Sequence, residues 1–206
     1  MTRETSINRE RRLRKIANYF TNEKGVLLDV GGHDAALRKF LPPTIKYINL
    51  DFEKRKEVDI YWDLNKRKLP FKNNSIDYFV ASEVLEHLFY PLDIIKELRR
   101  ILKPTGFGII TYPNDHTYVM LIKWVLNLNA PLTPNPFWPY GHLHTLINFK
   151  QLLLMIHQFF KIEKVEYLAF SHERYLTFIP HSFLQLLANF LPHLFARNII
   201  IKVKKL

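Results

Sequence analysis

Two carboxylates bracket a pair of glycines early in this 206-residue chain, at a spacing that can hold a nucleoside. Residues 26–34 read Val-Leu-Leu-Asp-Val-Gly-Gly-His-Asp, and Asp51 closes the next apolar run, Tyr47-Ile48-Asn49-Leu50. Glycines between a strand and a helix let the backbone approach a ligand closely, with the helix N-terminus facing it. In doubly wound folds an acid at the tip of the second strand, about 20 residues past the loop, holds ribose hydroxyls. Asp29, Gly31, Gly32 and Asp51 therefore predict a nucleoside-like cofactor. A dinucleotide would need Gly-x-Gly-x-x-Gly, which falls on Gly31, His33 and Ala36. Only the first is glycine, so no pyrophosphate cradle is expected. The Walker lysine loop is absent as well.

These residues need rigid elements to position them, and the hydrophobic pattern supplies a strand–helix alternation that implies a parallel α/β sheet. Strands are expected at 26–30, 46–50, 58–62, 76–81, 107–112, 162–167 and 198–203. A basic helix over 6–20 carries Arg9, Arg11, Arg12, Arg14 and Lys15 opposite an apolar stripe of Leu13, Ile16, Tyr19 and Phe20. A short helical pattern runs from Asp34 to Phe40. A helix over 92–102 buries Ile94, Ile95, Leu98, Ile101 and Leu102 on one face, with Pro91 at its start and Pro104 and Gly106 after it. Another helix is expected over 149–159. The composition, 48% hydrophobic and 14% aromatic, is ample for one core and against disorder. The whole chain, 1–206, is expected to form one domain. The absence of cysteine excludes disulfides and thiolate-bound zinc. No leader opens the chain and no apolar stretch is long enough to span a bilayer, so a cytoplasmic location, with peripheral membrane association as an alternative, is expected. The net charge of +11 favours anionic partners.

The series continues past the glycine loop. Asp63-Leu64 is followed by Leu69-Pro70-Phe71, Asn74 to Val80, and Glu83-Val84-Leu85-Glu86-His87-Leu88. Pro91-Leu92 and Glu97 to Gly106 complete it. This ordered set resembles the class I S-adenosylmethionine-dependent methyltransferases, in particular the small type 11-like domains related to enzymes acting on quinones, lipids and glycans. The resemblance is strong over residues 24–115. It implies a Rossmann-like seven-stranded sheet, mostly parallel, with helices on both faces and an antiparallel final strand, and S-adenosyl-L-methionine as cofactor.

It also implies roles. Asp29, Gly31 and Gly32 line the methionine portion. Asp51 accepts from both ribose hydroxyls, and Phe52 lies against the adenine. Asp63 accepts from the adenine amino group beside Leu64, with Asp59 a nearby alternative. Ser82 faces the cofactor from the end of the fourth strand. The family loop runs Asp-x-Gly-x-Gly-x-Gly, whereas His33 and Ala35 stand at the second and third glycines here. A β-carbon at either place can crowd the methionine end or reshape the loop. His33 can instead contact the cofactor carboxylate. A binding or scaffolding protein that keeps the fold but not the transfer is the alternative these departures open.

Two stretches lie outside the minimal sheet. Residues 113–147 hold Pro131, Pro134, Pro136 and Pro139 with Trp124, Phe137, Trp138 and Tyr140. Residues 170–197 place Phe183, Leu184, Leu187, Phe190, Leu191 and Leu194 at helical spacing. They are expected to form an apolar cap over the site, or simply to pack on each other. His142, His144 and His87 are candidate general bases. No metal site is expected, because His142 and His144 lack a nearby carboxylate motif. The basic helix over 1–22 is a solvated face, or a contact for an acidic membrane surface or for RNA phosphates. The aromatics avoid the basic segments, which argues against a nucleic-acid binder. The expected activity is methyl transfer to a small-molecule or lipid/glycan-linked acceptor, at oxygen. An RNA or protein methyltransferase is the alternative favoured by charge.

Overall fold

The computed structural model describes residues 6–66, 68–114, 117, 148–169 and 180–206. Its strands are β1 (Gly25–Val30), β2 (Ile45–Asp51), β3 (Ile60–Tyr61), β4 (Ile76–Ser82), β5 (Leu102–Pro113), β6 (Phe160–Ala169) and β7 (Ala196–Lys205). They form one seven-stranded sheet in the order β3-β2-β1-β4-β5-β7-β6. β7 runs antiparallel to β5 and β6, and the other pairs are parallel. The fold is the Rossmann-like one expected.

Strand alternation sorts the core into two layers. On one face, α1 (Ser6–Ala17) lays Leu13 and Ile16, with Phe20 just beyond it, on Leu27, Val80, Ile109 and Ile200. On the other, α2 (Pro91–Ile101), α3 (Phe149–His157) and α4 (His181–Phe190) bring Leu98, Leu152 and Leu184 to Leu28, Phe79, Ile110 and Ile201. A single turn, α5 (Pro192–Phe195), leads into β7. α2 has proline in its first turn, and a capping box between Asn148 and Gln151 starts α3. The chain leaves β1 for β2 on one side and returns to β4 on the other. The crevice outside the carboxyl ends of β1 and β4 is thus the topological switch point, where such sheets bind ligands.

Some elements differ from the expected ones. The pattern from Asp34 to Phe40 forms no α-helix, only a 3-10 turn over Ala36–Phe40. Ala35 enters it in the left-handed conformation, and Leu41, which precedes Pro42, is extended as the residue before proline must be. Between those constraints five residues remain, so no sustained helix dipole points at the crevice. β3 shrinks to Ile60–Tyr61 because the preceding Asp59 turns back, accepting from the Asn49 backbone N–H at 2.8 Å. β5 starts at Leu102, directly after α2, because Lys103 precedes Pro104 and favours extended backbone. Of the stretch 170–197, the described part packs α4 on β6, with Leu184 and Ala188 buried. Most of 113–147, with His142 and His144, lies outside the described residues.

Candidate functional site

Gly31 and Gly32 turn the chain at the end of β1 with bare backbone. Gly31 has φ +70°, and a β-carbon there would stand 2.6 Å from Val84 Cγ2. At Gly32 a β-carbon would meet the Asn49 side chain and lie 2.8 Å from Asp29 Oδ2. His33 and Ala35, where the family's loop has glycine, have φ of 47° and 53°. The loop therefore keeps glycine geometry without glycine. The His33 side chain is half exposed. The cost is backbone strain, about 1–2 kcal/mol for a left-handed residue.

Asp51 holds the loop from the tip of β2. It is buried at 4% exposure, with Oδ2 accepting from the His33 N–H and Oδ1 from the Glu53 N–H, each at 3.0 Å. Each oxygen keeps acceptor capacity for a second donor. Phe52, beside it, is 46% exposed. Asp63 starts the 3-10 turn over Leu64–Lys66, with Oδ1 accepting from the Asn65 N–H at 2.9 Å, and Leu64 is buried. Asp59 is committed elsewhere, to the Asn49 N–H and to Arg38 at 3.0 Å.

Asp29 is buried on the face beneath the loop. Tyr47 Oη donates to its Oδ2 at 2.5 Å. Burial pushes the carboxyl pKa up to about 7 and the charge of Asp51 adds to that, while the Tyr47 hydrogen bond opposes it. The Tyr47 hydroxyl is itself pushed far above its ordinary range, by burial and by Asp29. Asn49, fully buried in the register position next to Asp29, gives its amide hydrogens to the His33 and Glu57 carbonyls. Its Oδ1 has no hydrogen-bond partner. An orphaned buried acceptor normally marks a missing donor.

The opposite wall is the end of β4. Ser82 Oγ shares a hydrogen bond with Thr111 Oγ1 at 3.0 Å. Glu83 then adopts φ 56°, so His33, Ala35 and Glu83 are three of the four non-glycine positive-φ residues among those described, all beside this crevice. Such strain persists where surroundings over-determine it. Arg12, 5% exposed, pairs with Glu83 Oε1 at 2.5 Å, and Asn198 Nδ2 donates to the same carboxylate. Arg9 grips Asp34 through both guanidinium nitrogens, holding that carboxyl below its usual range. α1 is thus not a uniformly solvated basic face: two of its arginines tie it to both walls. His87 ends a 3-10 turn over Leu85–His87, with Nε2 4.0 Å from Glu86 Oε1. Among the described residues the structure brings Asp29, Gly31, Gly32, His33, Asp51 and Phe52 together at β1 and β2, and Ser82 and His87 at β4.

Tyr47, Asn49, Arg12, Glu83 and Asn198 are the site's contributors that motif reading misses. Only Asn49 carries a signal, as a polar residue inside an apolar parallel strand.

A methyltransferase-domain family model matches residues 34–110. No curated protein sequence matches the chain. Among solved structures, a SAM-dependent methyltransferase from Archaeoglobus fulgidus is similar, with TM-score 0.68 and 16% identity over 98% of this chain and 96% of that one. Another SAM-dependent methyltransferase, from Aquifex aeolicus, has TM-score 0.58 and 13% identity over 94% of this chain and 89% of that one. The [4+2]-cyclase SpnF has TM-score 0.62 and 18% identity over 94% of this chain and 80% of that one. At such identities these likenesses show the fold. Together with the seven-stranded order and the glycine-loop crevice, they show that the chain has the class I methyltransferase fold, and its residues 34–110 are similar to a methyltransferase-domain family whose cofactor is S-adenosylmethionine.

Proposed function

We propose that the chain transfers a methyl group from S-adenosylmethionine to a hydroxyl oxygen of a small-molecule or lipid/glycan-linked acceptor. The observation that carries the reading is the loop 31–35, which holds left-handed backbone at Gly31, His33 and Ala35 and so keeps the shape that a binding loop needs. A merely residual fold has no reason to maintain strain at two non-glycine residues. The residues also fit the cofactor. The bare backbone of Gly31 and Gly32 receives the methionine end. The Asn49 Oδ1 acceptor and the Asp29 carboxylate face a cationic ammonium near Gly32. Asp51 takes the ribose hydroxyls, exposed Phe52 lies on the adenine, and Asp63, Leu64 and Ser82 complete the wall. When bound, the cofactor supplies a methyl group already activated on a sulfonium.

The protein's task is to orient the acceptor oxygen in line and exclude water, which can contribute roughly 7–11 kcal/mol of barrier lowering. His87, at the β4 end, takes the acceptor proton, with His142 and His144 as the other proposed bases. An apolar acceptor is supported by α4, which buries Leu184 and Ala188 yet exposes Phe183, Leu186 and Phe190 on its other side. We read the stretches 113–147 and 170–197 as the cap of such an acceptor. No helix among the described residues is long and apolar enough to cross a membrane. Peripheral association with an acidic membrane surface is supported by the net charge of +11.

The test is transfer of labelled methyl from S-adenosylmethionine to panels of hydroxylated small molecules and polyprenyl or acyl lipids. Transfer to one panel is expected, with His87→Ala lowering kcat by about 10²–10⁴-fold. Transfer only to RNA or protein in the same assay would contradict the acceptor class.

A further inference from the structure

A second cavity, of about 340 Å³, lies beside the cofactor crevice, between α1, the end of β6 and the start of α4. Arg11, Arg14 and Lys15 form one wall, His181 and Gln185 the other, and Asn198 the side toward the crevice. None of its described lining residues is a carboxylate. Arg11 forms no ion pair with a described residue, and Arg14 meets the exposed Glu10, one turn away, at 2.7 Å and lies 4.6 Å from the centroid of the Phe40 ring. Lys15 is balanced from below by Glu166 at 2.9 Å. The amides are fixed: Gln185 Nε2 donates to the Tyr167 carbonyl at 2.6 Å, and Asn198 to Glu83. Firm polar walls thus border the Arg11 guanidinium and that of Arg14, for which an incoming anion competes only with the exposed Glu10 and the Phe40 ring.

We propose that this cavity binds a phosphoryl group carried by the methyl acceptor. The assignment rests on the methyl-transfer reading above. Guanidinium groups match phosphate oxygens with paired, charge-assisted hydrogen bonds. A volume of this size holds a small ligand rather than a lone ion. The position gives the geometry. Asn198 sits on β7, two strands from β4, and its Glu83 partner directly follows Ser82. Two strand spacings amount to about 10 Å. A phosphoryl group anchored there leaves that reach for the part of the acceptor bearing the hydroxyl, which extends over β5 toward the methyl donor. Such an anion is either the head group of a lipid or the phosphate of a soluble metabolite.

The experiment is calorimetric titration of the full chain with inorganic pyrophosphate and, separately, with S-adenosylhomocysteine, for wild type and for Arg11→Gln/Arg14→Gln. Both positions are exposed, so the double variant folds, which a melting curve checks. Pyrophosphate affinity is expected to fall about ten- to a hundredfold while S-adenosylhomocysteine affinity stays. Wild-type protein that binds S-adenosylhomocysteine but not pyrophosphate overturns the phosphoryl site and leaves the methyltransferase reading. Undiminished pyrophosphate binding by the double variant also overturns the site. Pyrophosphate binding without S-adenosylhomocysteine binding overturns the acceptor assignment together with the reading it rests on. Co-sedimentation with phosphatidylglycerol but not phosphatidylcholine vesicles, lost in the double variant, assigns a lipid head group. Pyrophosphate binding without vesicle retention assigns a soluble phosphorylated acceptor.

Discussion

His33 and Ala35 carry the left-handed backbone that glycine would adopt freely, and their surroundings set different balances. His33 is half exposed, so His33→Gly removes strain and little contact, and is expected to stabilise the fold by about 1 kcal/mol. Ala35 is buried at 6% exposure, and Ala35→Gly also loses a methyl worth about 0.8 kcal/mol, so it should be near neutral. Urea denaturation of both variants checks the contrast, and equal effects would contradict it. Asp29 gives a pH signature. With its folded pKa near 7 and an ordinary value of 3.8 in the unfolded chain, the folded protein holds a proton that the unfolded chain has released between those values. Its contribution to stability is full below pH 4, is lost as pH rises, and levels off above 7. Asp29→Asn mimics the protonated form and still accepts from Tyr47. It should match wild type near pH 4 and exceed it at pH 8, by at most on the order of 4 kcal/mol. A difference independent of pH would remove Asp29 as the titrating group. The carboxylates and glycines of the site were legible as residue types at a spacing. The left-handed angle of Glu83 was not, because it is imposed by Arg12, Asn198 and Thr111, which are distant in sequence.

At the scale of elements, α1 works as a strap. It packs Leu13 and Ile16 on the sheet and reaches the β1 loop through Arg9 and the β4 end through Arg12. Removing one partner of a buried ion pair costs about 3–5 kcal/mol, whereas an exposed charge costs within about 0.5 kcal/mol. Arg12→Met is therefore expected to destabilise strongly and Arg11→Met hardly at all. Thermal unfolding of the two variants checks this, and similar shifts would mean that Arg12 is only another surface cation. The sequence placed both arginines on one basic stripe, and α-helical periodicity separates them by 100° without saying which side meets Glu83. Strands and the longer helices were readable because the strands are short, mostly apolar runs and the helices have a strong period of 3.6. The 3-10 turn over Ala36–Phe40 was not, because its length is decided by Ala35 and Pro42 rather than by its apolar spacing.

Across the whole molecule, the sheet order sets where chemistry can occur: the β1–β4 switch point supplies the crevice, and α1 flanks its β7 side with cations. The parallel α/β sheet was legible in the alternation of strands and helices, whereas the seven-stranded sheet with an antiparallel final strand followed from the family resemblance. The second apolar side of α4 was visible only as excess hydrophobicity, since periodicity cannot tell a buried face from an exposed one. The central claim, that this crevice holds an S-adenosyl cofactor, is tested most directly by calorimetric titration with S-adenosylhomocysteine, using wild type and Phe52→Ala. Phe52 is exposed, so its removal tests the adenine contact without emptying the core. Micromolar binding that Phe52→Ala weakens about tenfold is the expected result. A folded wild-type chain that binds no S-adenosylhomocysteine at millimolar concentration would contradict the account.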